Sequence, residues 1–320
     1  MARTAGKNTP LPLIIGAGGI NPAGRVSGHH AYRRLVIDSL TKEKRDRTYL
    51  SLAKLMNRTE TESITNSDRQ YILDHTLIRK IEAFDTSRVL WQTPLSLVAS
   101  DSQPNEFNLA RKSLPDSLKA KFDIPDSEGD FLHIKTREQL DVLLPEYRES
   151  KVTSAGQLPS GFDPGSLYAS RSHPRALQMT IYAASDAIRS TGFSVDQLRN
   201  MVPPDQIAVY SGSAMGQLDE ESYGGLLQNA LIGKRPSSKH CALGLPEMAG
   251  DFVNAYVLGS VGETAGIIGA CATFLYNLKR GMDDIRTGSK RIVIVGNSEA
   301  PVQPQAVSYT HLRAHETSQH

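Results

Sequence analysis

Two amphipathic stretches, each closed by a glycine and each next to a short apolar run, constrain this chain more than any other feature. Over 175–191, Leu177, Ile181, Ala184 and Ile188 recur along one helix face. Gly192 is a ready stop, because glycine takes the left-handed cap conformation cheaply. Residues 206–211 are β-rich and end at Gly212. Helical spacing returns over 271–287 through Leu275, Leu278, Met282 and Ile285, with Gly288 behind it. Residues 290–296 then form a nearly unbroken apolar run, the pattern of a strand covered on both faces. Strands alternating with helices predict an α/β chain with a layered α/β/α architecture.

The remainder divides by charge. Residues 11–16 read as one more short buried strand. Arg3 and Lys7 ahead of it imitate a signal peptide, but Pro12 and the glycines that follow interrupt the apolar stretch, and no Ala-x-Ala site comes after. Residues 41–150 are about twice as dense in charged side chains as 151–307. They open on Lys42-Glu-Lys-Arg-Asp-Arg47 and continue with helical spacing through Ile72, Leu73, Leu77, Ile78 and Ile81. The expectation is a charged, mainly helical insertion over 41–150, with 1–40 and 151–307 forming the layered domain. Residues 308–320 have no periodicity and read as a tail foreign to that domain.

Composition removes several function classes. Thirty-six Lys and Arg against 34 Asp and Glu leave a net charge of +2, which excludes a broad nucleic-acid footprint. No apolar run reaches the ~20 residues that span a bilayer. Two cysteines in 320 residues argue against a disulfide scaffold and fit a reducing, cytoplasmic setting. No Cys-x-x-Cys spacing occurs, and the adjacent pairs His29 with His30 and His240 with Cys241 are poorly placed to share one ion. No metal and no cofactor is therefore expected. Gly16-Ala-Gly-Gly-Ile-Asn21 departs from a dinucleotide loop at Asn21 and Pro22 and reads as a turn. Arg33 and Arg34 read as surface charges.

Two places hold candidate nucleophiles. In Gly266-Ile-Ile-Gly-Ala-Cys271-Ala-Thr-Phe-Leu-Tyr-Asn277, small residues let the backbone turn tightly and put Cys271 in the first turn of a helix. Unpaired N–H groups and the positive end of the helix dipole favour a thiolate there and leave a donor for a developing oxyanion. A cysteine among apolar residues is also often inert core. The rival is Ser298 in Val295-Gly-Asn-Ser-Glu-Ala300, which approaches the G-x-S-x-G elbow of α/β-hydrolases but has Ala300 in place of the last glycine. Pro301 and Pro304 oppose the helix such an elbow needs. The residues alone leave these readings open.

Four segments in this order carry a resemblance: residues 14–24, a glycine-bearing turn after an apolar run; 208–216, Ala-Val-Tyr-Ser-Gly-Ser-Ala-Met-Gly; 269–273, Gly-Ala-Cys-Ala-Thr; and 291–300, a strand followed by a small-polar-Glu-Ala turn. Together they resemble the β-ketoacyl-acyl-carrier-protein synthases, condensing enzymes of fatty-acid synthesis with a thiolase-like fold. The likeness is greatest to a bacterial subtype with an enlarged segment after the first strand and helix. It runs from Leu13 to about Val307 and is weakest across 41–150.

The resemblance implies that Cys271 takes an acyl group from an acyl carrier protein or coenzyme A thioester. Decarboxylation of malonyl-acyl-carrier-protein then supplies the attacking carbanion. It implies that Met215 lines the acyl pocket. Phe274, where the family commonly has a small residue, would shorten that pocket toward short primers. The family's second half supplies two histidines and a further oxyanion amide, and this sequence has no counterpart; His311 and His315 match no motif. The expectation is thus the N-terminal half of a condensing enzyme, open to acylation but not to condensation, with apolar surface uncovered. When full length it would be a homodimer. The alternatives are a non-catalytic half that dimerises or packs on a synthase partner, and a serine hydrolase using Ser298.

Overall fold

Ile207–Gly212 (β1) is the most deeply buried strand among the described residues, with every residue shielded from solvent. The computed structural model describes residues 10–114, 116–119, 122, 124, 129–170, 172–304 and 306. Contacts divide the chain into two units: Met1–Asp85 with Lys151–His320, and Thr86–Ser150.

In the first unit β1 is the middle of a parallel three-stranded sheet, flanked by Glu263–Ala265 (β2) and Ile292–Asn297 (β3). Side chains alternate across β1 as the pleat requires. Ile207 and Val209 enter a cluster with Ala184 and Ile188 of the helix Arg175–Ser190 (α1), together with Val253 and Leu258. On the other face the Tyr210 hydroxyl reaches Asp284 of the helix Thr273–Thr287 (α2) at 2.5 Å. Gly281 brings α2 close to β3, since a Cβ there would lie 2.9 Å from Val293 Cγ1. Helices on both faces of a parallel sheet are the α/β/α layers expected. Gly192 and Gly288 take positive φ, +82° and +73°, after the helices they were predicted to stop.

Two expectations are corrected and one is refined. Residues 11–16 form no strand: Leu11, Leu13, Ile14 and Ile15 are exposed. The segment after them is set by docking on α1, through Ala17 N–H to Ser190 Oγ (3.0 Å) and Gly19 N–H to buried Asp186 (3.0 Å). Gly18 lies so close that a Cβ would be 2.2 Å from the Ala187 nitrogen. The run at 290–296 forms the strand β3 with α1 and α2 on its two faces, as expected, but as an edge of the sheet it is only half-buried, and β1 is the strand fully shielded from solvent. Arg34 is not a surface charge. It is buried at the C-terminal end of the helix Asn66–Asp74, donating to Thr76 Oγ1 (2.8 Å) and the Leu73 carbonyl, where a cation meets the negative end of the helix.

The expected helical insertion is also narrower than predicted. Lys42–Leu55 and Asn66–Asp74 are helical and share a core of Tyr49, Leu52, Met56 and Ile72, but they belong to the first unit. The helical spacing ends there: Leu77 takes a positive φ and Ile78–Lys80 pairs with Ser154–Gly156 as strands. The second unit is mainly antiparallel β. Val89–Leu97 pairs with Leu140–Arg148, and Asn105–Ala110 with Phe131–Thr136. Its core is Leu114, Leu132 and Ile134, the last two from the inward positions of a strictly alternating strand. Charge density marked this region as solvated, but the period of two decides its structure. The tail 308–320, with His311 and His315, lies outside the described residues.

Candidate active site

The turns leaving the carboxyl edge of the sheet hold Met215, Cys271 and Ser298. In the parallel register Ala265 of β2 lies beside Tyr210 and Asn297 of β3 beside Gly212, so all three strands run out on one side. Ligands of open α/β sheets bind at this edge. β1 leads into the loop bearing Met215, β2 into the turn bearing Cys271, and β3 into Ser298 and Glu299.

Cys271 sits in a single 3-10 turn, Ala270–Ala272, continued at once by α2. Ala270 has φ +48°, a left-handed conformation uncommon for a residue with a side chain. Two fully buried polar residues of α2 hold the turn in that shape. Thr273 Oγ1 accepts the Gly269 N–H (3.1 Å) and donates to the Ala270 carbonyl (2.7 Å). Asn277 Oδ1 accepts the Ile267 N–H (2.9 Å), and its amide donates to the carbonyls of Ile267 (3.0 Å) and Thr273 (2.9 Å). At position 269 a Cβ would lie 2.1 Å from the Tyr276 ring, so any side chain there requires that half-exposed ring to move. At Gly212 the missing Cβ leaves space for Ile268 Cδ1 and Thr273 Cγ2, which seats the end of β1 against the same turn.

The outcome is an exposed thiol at a helix start. Cys271 is therefore not buried in the core, as its apolar neighbours allow. Met215 and Phe274 are 41% and 42% exposed, and Ile267, Ile268, Leu275 and Tyr276 expose comparable apolar surface nearby in sequence. Cys241 is also exposed, on the separate helix Ser238–Gly244. Ser298 is buried, and among the described residues no histidine or acid is hydrogen-bonded to it. It lines a cleft of about 320 Å³ with Gly18, Asn21, Met179 and Glu299.

Three residues of this edge escape sequence reasoning. Thr273 and Asn277 had a signal: polar residues four apart on a face that α2 buries. Glu299 lay inside a motif read for its serine. Its carboxylate accepts the Ser213 hydroxyl (3.0 Å) and the Ala214 N–H, tying the β3 turn to the β1 loop.

Comparison with known proteins meets this geometry from the other side. A family model, the beta-ketoacyl synthase N-terminal domain, matches residues 134–319. The beta-ketoacyl-[acyl-carrier-protein] synthase FabY of Pseudomonas aeruginosa is 46% identical over 314 residues, which are 93% of this chain and 50% of that protein. Nodulation protein E of Rhizobium leguminosarum bv. trifolii is 28% identical over 130 residues, 39% of this chain and 30% of that protein. The crystal structure of the noncanonical ketosynthase FabY from P. aeruginosa matches with a TM-score of 0.86 at 44% identity, covering 96% of this chain and 51% of that one. The chain spans about half the length of FabY. Among the described residues no helix is long and apolar enough to cross a membrane. The layered sheet has the ketosynthases' thiolase-like architecture, and with more than half of its residues under the family model this chain belongs to the beta-ketoacyl synthases.

Proposed function

We propose that this chain is an acyltransferase of the β-ketoacyl-acyl-carrier-protein synthase type, acting in fatty-acid synthesis, with Cys271 as the nucleophile. The thiolate attacks the carbonyl carbon of an acyl thioester. A new carbon–sulfur bond forms at Cys271, the old one breaks, and the carrier leaves as a thiolate that takes a proton from solvent. N–H groups at the start of α2 steady the oxyanion of the tetrahedral intermediate. Met215 and Phe274 line the path of the acyl chain, and Phe274 favours short primers. The donor is an acyl carrier protein or coenzyme A thioester, in line with the carrier in the name of the FabY relative. In the complete catalytic cycle malonyl-acyl-carrier-protein is the second substrate and the enzyme works as a homodimer in the cytoplasm.

One observation supports the reading above the others: an exposed thiol on a left-handed turn at the carboxyl edge of a parallel sheet, fixed from below by Thr273 and Asn277. Incubation with acetyl-CoA followed by intact-mass measurement tests it. A single acetyl increment, kept in Cys241→Ser and lost in Cys271→Ser, supports the proposal. A second reading, a half that packs on a partner without chemistry, draws on the exposed Phe274, Leu275 and Tyr276. It predicts a stable assembly with no increment. Ser298 is disfavoured by its burial, with no histidine or acid hydrogen-bonded to it among the described residues.

A further inference from the structure

Met215 stands between two fixed points, and Glu299 supplies one of them. On one side, Gly216 turns the chain at φ +72°, so close to Gly244 that a Cβ would lie 2.9 Å from its carbonyl oxygen. On the other, the Ala214 N–H is bonded to Glu299 Oε1. Ser213, almost fully buried, donates its hydroxyl toward Glu299 Oε2 at 3.0 Å, with the Gly216 carbonyl a second acceptor at 3.2 Å. Its N–H is held separately by the Pro246 carbonyl (3.1 Å). The strand register explains how this comes about. β1 and β3 are paired as far as Gly212 and Asn297, and Glu299 lies two residues past its pair, level with the loop. No cation is paired with this carboxylate among the described residues, so loop donors take up its charge. Met215 is held at both flanks while its own side chain remains two-fifths exposed.

We propose that Glu299 is a positioning residue for acyl selectivity: its carboxylate clamps the loop that carries Met215 and so sets how far that side chain projects into the acyl path. The proposal rests on the acyl-Cys271 reading for its functional part and on the hydrogen bonds alone for its structural part. Glutamine at 299 can keep both links, its oxygen accepting from Ala214 and its amide donating to Ser213, which then donates to Gly216. Alanine keeps neither.

The test uses the full chain with its seven methionines carrying ¹³C-labelled methyl groups, Met215 being assigned by Met215→Leu. Wild type, Glu299→Ala and Glu299→Gln are compared by methyl NMR and by the ratio of decanoyl to acetyl transfer from coenzyme A to Cys271. The expected result is a shifted or broadened Met215 methyl in Glu299→Ala, the other methyls unchanged. The transfer ratio should change by about tenfold, the scale of one or two mis-set apolar contacts, and Glu299→Gln should stay near wild type. A Met215 methyl identical in Glu299→Ala and wild type overturns the proposal, as does a ratio that changes while the methyl does not. Should no acyl group load on the wild type, the Cys271 reading fails while the methyl still decides the clamp. If Glu299→Ala loses the cooperative fold, Ser213→Ala replaces it and must move the same methyl.

Discussion

The side-chain amide of Asn277 brackets the backbone of Ile267, taking its N–H at 2.9 Å and giving to its carbonyl at 3.0 Å, ten residues back along the chain. A helix residue thereby does for an irregular turn what a neighbouring strand does for a ladder. The turn keeps its shape although its apolar side chains face outward.

Asn277→Ala strips Ile267 of both partners beside a fully buried site, and leaving buried polar groups unpaired costs about 2 kcal/mol or more. The variant is expected to unfold at lower urea and to alkylate faster at Cys271 with iodoacetamide, since the turn loosens. Urea midpoints and a time course of mass increments check both effects.

Tyr210 and Asp284 join β1 to α2 by a hydroxyl–carboxylate bond of 2.5 Å, and Arg280 pairs with the same carboxylate at 3.1 Å. Burial and the Asp284 carboxylate both push the Tyr210 hydroxyl up, so it remains a donor throughout the working range. Tyr210→Phe is expected to lower stability by about 1–2 kcal/mol without altering acyl loading, because Asp284 lies near the opposite end of α2 from Cys271. Denaturant unfolding and the acetyl-CoA mass measurement separate the two effects.

His173 is buried against Phe252 and Tyr256, with Tyr168 Oη 2.9 Å from Nδ1, and burial holds its pKa below the ordinary value. His30 is lowered in the same sense, by burial and then by Arg25 and Arg33. A histidine that binds its proton more weakly folded than unfolded contributes stability above about pH 6.5 and loses it as pH falls through the folded pKa. Stability is therefore expected to drop between pH 7 and pH 5, with a shallower fall in His173→Gln. Urea titrations at four pH values measure the slope.

Phe274 projects from the first turn of α2 beside Thr273. If it shortens the acyl path, Phe274→Ala should raise decanoyl over acetyl loading at Cys271 by about tenfold. An unchanged ratio would place the ring away from the acyl chain.

Much of the layered domain was legible because one element dictated each local choice. The β-rich run at 206–211 had to be a strand, although its central place was not visible, Gly192 and Gly288 had to end their helices, and the small residues before Cys271 had to turn. Other features depend on partners distant in sequence. Residues 11–16 are as apolar as a strand, but pairing needs an edge, and the glycines after them dock on α1 instead. The alternation from Phe131 to Thr136 was written in the sequence, yet the surrounding charges mask it when density rather than period is read. Thr273, Asn277 and Glu299 act through hydrogen bonds to partners that their own positions do not name, and only the four-residue spacing of Thr273 and Asn277 hinted at a buried polar pair.

Peptide mapping after brief exposure to an acetyl thioester decides whether Cys271 is the nucleophile, because the protein presents two exposed thiols that differ in their settings. Acetyl is expected on Cys271 at high occupancy while Cys241 stays free. Equal labelling of the two cysteines, or acetyl on Cys241 alone, would contradict that assignment.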